Sequence, residues 1–368
     1  MKRRYKVLVA LLALLASAAL ALALALSHES PCGPPAAIPG QQDLMKAIVY
    51  RCYGSSEVLN LEDTAKPVPA DDEVLVKVHA ASVNPLDWHY MRGEPYMMRL
   101  SSGFGRPKES RFGVDFAGTV EAVGARVQKF KPGDEVFGGR TGAFAQYVVV
   151  RESRAIVLKP ANITFEQAAA VPIAAITALQ ALRDKGQVEP GTRVLINGAS
   201  GGVGTFAVQI AKSLGAEVTG VCSTRNVELV RSLGADHVID YNKEDFTQGD
   251  RRYDVIIDNV GNHPLRETRR ALEPDGIFVI VGGSSKDPWL GPMVRPIGAA
   301  MMAPFVSQEF SMLMAELNPQ DLGQLRDLLA RGKLKPVIDR RYTLDEVPAA
   351  VAYVEEGHAR GKVVIDME

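Results

Sequence analysis

The stretch RVLINGASGGVG, Arg193 to Gly204, runs directly into TFAVQIAKSL, which ends at Leu214. Arg193 to Asn197 reads as a buried strand, and Gly202 to Leu214 carries its apolar residues at helical spacing. The turn between them is rich in glycine. Strand, glycine-rich turn and helix in immediate succession let a backbone approach a pyrophosphate closely. The helix N-terminus then offers free N–H groups and a partial positive charge to the anion. Ala199 stands where the first glycine of a dinucleotide fingerprint would be. About 20 residues further on, an NAD site carries Asp or Glu for the ribose 2′-OH. Here that position reads Cys222-Ser223-Thr224-Arg225-Asn226. Hydroxyls and a guanidinium with no carboxylate favour a 2′-phosphate, so the expected cofactor is NADPH rather than NADH. The alternative for Arg225 is a solvated loop side chain.

Downstream of this unit the alternation continues. Glu217 to Cys222, His237 to Ile239, Asp254 to Asn259 and Gly276 to Val281 read as strands, with helices at Val227 to Leu233 and Pro264 to Leu272. Strand and helix in turn imply a parallel sheet with crossover helices. Upstream the pattern is short and β-like: Met45 to Tyr50, Glu73 to Ala80, Val114 to Val123, Asp134 to Phe137 and Ala143 to Val150, punctuated by Gly and Pro. Thr164 and Gln167 form a capping box that opens a helical stretch, and a second runs from about Pro172 to Lys185. The tail adds a helix at Gln320 to Ala330 and a strand at Lys362 to Asp366.

Val7 to Ser27 is a run of 21 uncharged residues, all Leu, Ala, Val or Ser, preceded by Lys2, Arg3, Arg4 and Lys6. At about 1.5 Å per residue a helix of that length spans the roughly 30 Å hydrocarbon core. It is read as a transmembrane anchor or, given the small-x-small pattern Ala25-Leu26-Ser27, as a cleaved secretory signal. The cationic flank would leave the N-terminus in the cytoplasm and the body outside, whereas a nicotinamide dinucleotide is held mainly in the cytosol or an organelle interior, so the sequence leaves the side of the membrane open. Residues 28–44, with Pro31, Pro34, Pro35, Pro39, Gly33 and Gly40, read as an extended linker in which Cys32 is a free thiol.

Of 368 residues, 46% are hydrophobic and 23% charged, and 42 Lys+Arg against 43 Asp+Glu leave a formal charge of −1. That balance excludes a disordered chain and gives no field to draw in a nucleic acid. Cys32, Cys52 and Cys222 are too few and too dispersed for a disulfide framework or a C-x-x-C metal or redox pair, and no metal site is expected.

The glycine loop, taken with Ser82-Val-Asn84-Pro85-Leu86-Asp87 and Gly113-Val-Asp115-Phe-Ala-Gly118, resembles the medium-chain dehydrogenase/reductase superfamily over essentially all of Met45 to Glu368. Ala199 to Gln209, Val221-Cys-Ser223, Leu233 to Tyr241 and His358-Ala-Arg-Gly-Lys362 are most similar to its zinc-free quinone oxidoreductase branch. The resemblance implies an α/β fold: a GroES-like β-rich catalytic domain (45–170 and 310–368) around a doubly wound parallel Rossmann sheet (171–309), preceded by the N-terminal hydrophobic helix (1–27). Zinc-dependent members place Cys, His and Cys where the resemblance puts Asn84, Val114 and Ile173, none of which can replace a thiolate or imidazole.

Carried over residue by residue, Ser200, Gly201, Gly202, Val203 and Gly204 are expected to cradle the pyrophosphate, and Ser223, Arg225 and Tyr241 to surround the adenosine phosphate. Asn259 and Gly282 are expected at the nicotinamide half, completed by Thr177 and His358-Ala359-Arg360. Tyr241 on residue type alone is as readily a packed aromatic. Asn84 resembles the family residue at the nicotinamide end, and Asp87, His89 and Tyr90 are nearby groups able to donate or relay a proton. Asp87 can instead fix its loop, and His89 or Tyr90 can simply pack.

The implied reaction is hydride transfer from NADPH to a small hydrophobic quinone or other α,β-unsaturated carbonyl. The partners expected are that substrate, a membrane through residues 7–27 and an optional second copy as a homodimer, with no nucleic acid. A non-catalytic, membrane-tethered NADPH-binding protein is the alternative of another class. A zinc alcohol dehydrogenase is opposed by the three positions above. The apolar stretch Trp289 to Phe305, expected near the substrate mouth or a subunit edge, has helical spacing and is read as core packing, with a quinone channel as the alternative.

Overall fold

The computed structural model of the chain describes residues 2–35, 43–283 and 287–367. Apolar alternation makes the first half β-rich, with a two-stranded sheet beside a larger one. Strands β1 (Leu44–Val49) and β2 (Asn60–Ala65) pair antiparallel, and β3 (Glu73–Val83), β4 (Asp115–Val123), β5 (Glu135–Gly139), β6 (Tyr147–Arg151) and β7 (Ile156–Leu158) follow. Val74, Val76 and Val78 of β3 point into one core with Phe116, Val136 and Val148. The second half is six parallel strands: β8 (Arg193–Asn197), β9 (Glu217–Cys222), β10 (His237–Asp240), β11 (Tyr253–Asp258), β12 (Leu272–Ile280) and β13 (Glu309–Met312). The chain then returns to the first sheet with β14 (Ile338–Thr343) and β15 (Lys362–Asp366), giving the order β14-β15-β3-β4-β5-β7 with β6 also on β3.

The parallel sheet has the order β10-β9-β8-β11-β12-β13. Its strand order reverses between β8 and β11, and a ligand crevice opens at such a switch point, beyond the strands' C-terminal ends. The glycine loop follows β8 and Asn259 follows β11, so both stand at that crevice. The N-terminal helix α1 (Lys2–Ser27) precedes the body, whose longer helices include α2 (Pro85–Arg92), α3 (Pro172–Gln180), α4 (Gly202–Ser213) and α5 (Val294–Met302). The α3 and α4 helices pack on each other and on the parallel sheet through one continuous core. Because β13 extends the parallel sheet to residue 312, that sheet runs past the 309/310 division read from the sequence.

Two expectations are corrected. Cys32 is not a free thiol but is bonded to Cys52, with the two Cα atoms 4.7 Å apart. The chain beyond α1 folds back onto the body, where Ser30 donates its N–H to Gly105 O at 2.9 Å. The expected linker therefore lies against the body through its described part, residues 28–35. Pro39 and Gly40 lie outside the described residues. The second correction concerns Trp289 to Phe305. Of α5 only Ala299 is buried, whereas Ile297, Met301 and Phe305 are exposed, at 45%, 72% and 85%. The helix packs through its small face, so its apolar period does not mark a core.

The anchorage of α1 is centred on Arg99. This side chain is fully buried, and all five of its N–H groups are used. Nε donates to Gly93 O, Nη1 to Leu26 O and His28 O, and Nη2 to Glu29 Oε1 and Arg92 O, over 2.9–3.2 Å. The guanidinium also lies over the rings of Tyr53 and Tyr96, at 4.4 and 4.5 Å.

Candidate functional site

The glycine loop is built for close approach. Gly198 is left-handed at φ 80°, and a Cβ on Gly204 would sit 2.1 Å from Gly198 O, so the turn closes only around glycine. Gly201 caps α4 with no side-chain bond, and a Cβ placed on it would meet only Gly198 O, at 3.5 Å. The first turn of α4 borders a cavity, the place where an anion meets the free N–H groups of a helix N-terminus. Gly201, Gly202, Val203 and Gly204 line a cavity of about 250 Å³ together with Asn84, Ile173, Asn259, Ala359 and Lys362.

At the adenosine end the organiser is Asn226, which is buried at the turn after β9. Its amide donates to Ser200 Oγ at 3.0 Å and Ser223 Oγ at 3.1 Å, and its Oδ1 accepts from Arg360 Nε at 2.7 Å. Three expected cofactor residues are thereby tied to one side chain. Arg225 donates to His358 O at 3.2 Å, which holds its guanidinium across the same edge. Tyr241 is 55% exposed and its backbone N–H is bonded to Cys222 O, so its ring is presented at that edge rather than packed.

At the other end Asn259 donates to Asn197 O at 2.9 Å, while among the described residues its buried Oδ1 has no partner. An orphaned acceptor in a cleft is costly unless a ligand donor meets it. A carboxamide such as that of nicotinamide supplies one. Gly282 lies against this residue, since a Cβ on it would stand 2.2 Å from Asn259 O. The helix terminus and the orphaned oxygen fit a dinucleotide lying across the crevice. Thr177 spends its hydroxyl within α3, donating to Ile173 O at 2.7 Å, and shows no polar atom committed to the cavity.

Asn84, Asp87 and Tyr90 come from the first turns of α2, which Pro85 opens. Asp87 reaches back to accept the Asn84 N–H at 2.7 Å. Asn84 donates to Asp115 Oδ2 at 2.9 Å and accepts from Lys362 Nζ at 2.5 Å. Asp115 further accepts from Ser82 Oγ at 3.1 Å and Ile173 N at 3.1 Å, and lies 3.5 Å from Lys362 Nζ. Both ions are buried. Burial pushes the Asp115 carboxyl up and the Lys362 ammonium down, each opposed by the charge of the other. Asn84 is thus held on both sides and acts as a fixed wall of the cavity rather than a free donor.

Asp87 faces a second cavity of about 160 Å³, lined also by Tyr50, Tyr90, Phe112, Val114 and Thr141. Burial pushes its carboxyl up to about 7, reinforced by Asp115, against the Asn84 N–H and Lys362. Tyr90 is 40% exposed beside it. His89, by contrast, bonds through Nδ1 to Glu94 O at 2.8 Å, stacks on Trp88 and is pushed down by burial, so its ring is structural.

Residues 70–161 match the alcohol dehydrogenase GroES-like domain family and residues 233–365 the zinc-binding dehydrogenase family. Over 336 residues the chain is 35% identical to a 2-methylene-furan-3-one reductase of Solanum lycopersicum, covering 87% of this chain and 79% of that protein. It is likewise 35% identical over 362 residues to the mitochondrial NAD(P)H oxidoreductase RTN4IP1 of Bos taurus, covering 88% and 89%. The quinone oxidoreductase from Coxiella burnetii superposes with a TM-score of 0.77 at 32% identity, over 89% of this chain and 100% of that one. The chain belongs to the medium-chain dehydrogenase/reductase superfamily. It is, at family level, an NAD(P)H-dependent oxidoreductase with a GroES-like and a Rossmann part. Among the described residues no group of three or more His, Cys, Asp or Glu is placed to hold a metal ion.

Two residues of the site were not singled out from the sequence. Asn226 lies in the turn after β9, where its type gives no sign that its side chain ties the turn to Ser200 and Arg360. Lys362 ended the quoted His358 to Lys362 motif. Only the packing of β15 against β3, which sets Val363 opposite Val83, brings its ammonium beneath Asn84.

Proposed function

We propose that this protein reduces a quinone or other α,β-unsaturated carbonyl with NADPH, and without zinc. The observation that carries this reading is the convergence, in one crevice, of the α4 N-terminus, the orphaned Asn259 oxygen and Asn84, with Asp87 bonded to Asn84 and facing the neighbouring cavity. The nicotinamide, when bound, supplies the hydride. Gly201 to Gly204 hold the pyrophosphate. Ser223 and Arg225 receive the 2′-phosphate, and Asn259 orients the carboxamide. Asn84, Val114 and Ile173 bring a committed amide and two alkyl groups to the cavity walls, a lining that suits a neutral conjugated carbonyl and not a tetrahedral metal.

Asp87 is the proton donor of this reading. Its carboxyl is protonated up to about pH 7, so turnover of an enone falls as pH rises through that value. The sign for stability is the same. The folded-state value lies above the ordinary 3.8, so Asp87 contributes most below about pH 4 and its contribution is lost towards pH 7. Asp87→Asn lowers enone turnover on the order of 10²-fold and removes the alkaline limb of the pH profile. A quinone loses less, because its reduced anion takes a proton from water. An unchanged limb in the variant removes Asp87 from the mechanism.

Arg225 sets the cofactor. Arg225→Glu places a carboxylate where a ribose 2′-OH is better received than a phosphate, and is expected to shift the NADPH-to-NADH ratio of kcat/KM at least about tenfold towards NADH. An unchanged ratio assigns Arg225 to the solvated loop. The reading as a whole is tested by oxidation of NADPH with a small quinone and with an α,β-unsaturated ketone. Tight NADPH binding without turnover of either makes the protein a cofactor-binding one.

A further inference from the structure

The foot of α1 carries information about where the body sits. Tyr5 to Ser27 is long and apolar enough to cross a bilayer, and most of its described side chains are exposed. The exception is at its end: Leu26 is 1% exposed and its carbonyl is bonded to the buried Arg99. A leader that is cut away contributes nothing to the finished fold. Here cleavage after Ser27 would uncover a buried site and remove one of the acceptors around a buried guanidinium.

No spacer separates helix from body. Twenty residues from Val7 to Leu26 account for the roughly 30 Å of hydrocarbon at about 1.5 Å each. The hydrocarbon therefore ends at the residue that Arg99 grips. The headgroup layer beyond it is only about 5–8 Å deep. The turn that packs on α1, Tyr96 to Met98, lies at this level, as does the segment leading to Gly105, whose carbonyl accepts from Ser30. Both carry exposed apolar side chains: Met97 at 47%, Leu100 at 45% and Phe104 at 51%. Arg106 is exposed just beyond them, suited to lipid phosphate.

The Cys32–Cys52 bond fixes the side of the membrane. Disulfides form and persist in oxidising compartments, and Lys2, Arg3, Arg4 and Lys6 stand at the opposite end of α1, where a cationic flank stays on the cytoplasmic side. We infer that α1 is retained as a membrane span, and that Met97, Leu100 and Phe104 rest in the lipid headgroup layer on the oxidising face of that membrane. The body is seated on the bilayer, not tethered at a distance from it. This inference does not depend on the reductase reading, since neither the cofactor nor turnover enters it.

The test is fluorescence quenching of the full chain in vesicles whose lipids carry bromine close to the headgroup. Phe104→Trp, with Leu100→Trp as the replacement should the first misfold, is compared with Val68→Trp. Val68 is 87% exposed and lies on the loop before β3, at the end of that strand remote from Asn84. After subtraction of the signal from the two native tryptophans, the probe at 104 is expected to lose at least half its emission and the probe at 68 none. Equal quenching of both probes overturns the seating. A membrane-extracted chain that begins after Ser27, or whose Cys32 and Cys52 react as free thiols without reduction, overturns the retained span or its side.

Discussion

Lys362→Met is expected to destabilise the protein by about 3–5 kcal/mol, the range found when one partner of a buried ion pair is removed. The physical cause is what the ammonium leaves behind. Asp115 keeps Ser82, Asn84 and Ile173 as donors, but its charge is no longer balanced in a site with no access to water. Asn84 loses the donor on its Oδ1, so the wall of the cavity is freed to rotate as well. The double variant with Asp115→Asn removes both charges and is expected to recover most of the loss, because a neutral pair need not be desolvated as ions. The shift in the midpoint of urea unfolding of the full chain checks both. A Lys362→Met protein as stable as the parent would show that Asp115 is held neutral and that the pair is not ionic.

A chain begun at Met45 is expected to lose at least about 3 kcal/mol, although every described strand survives the cut except for the first residue of β1. Arg99 then keeps only Gly93 O and Arg92 O among its five acceptors, and each buried donor left unmade costs about 1–3 kcal/mol. Cys52 loses its disulfide partner at the same time. The comparison of unfolding midpoints should be made against the full chain in the same detergent. Equal midpoints would mean that water replaces residues 26–29 around Arg99 at no cost, and would remove the strongest support for a docked α1.

The parallel sheet was legible because its strands are buried on both faces and appear as unbroken apolar runs, Val194 to Ile196 and Val255 to Ile257 among them. What escaped lies at edges. The β2 strand reads NLEDTA and β14 reads IDRRYT, polar sequences whose strand conformation is imposed by a single paired neighbour. Helical period in α5 carried no sign of which face would be buried, so the same residues served equally for core and surface. The disulfide was hidden for a related reason: a separation of 20 residues says nothing until Ser30 is seen bonded to Gly105. In the candidate site the cofactor loop was readable because its chemistry is local, glycines and a helix start within a few residues. The Asn84–Asp115–Lys362 assembly joins residues up to 278 apart in sequence, and only the pairing of β15 with β3 and β3 with β4 reveals it.

The central claim is hydride transfer from NADPH in a cleft that needs no metal. The measurement that tests it most directly is the rate of NADPH oxidation by a small quinone, made on the full chain in detergent before and after exhaustive chelation. The account predicts that the rate survives chelation unchanged and is not raised by added zinc. Loss of turnover on chelation and its return with zinc would contradict it.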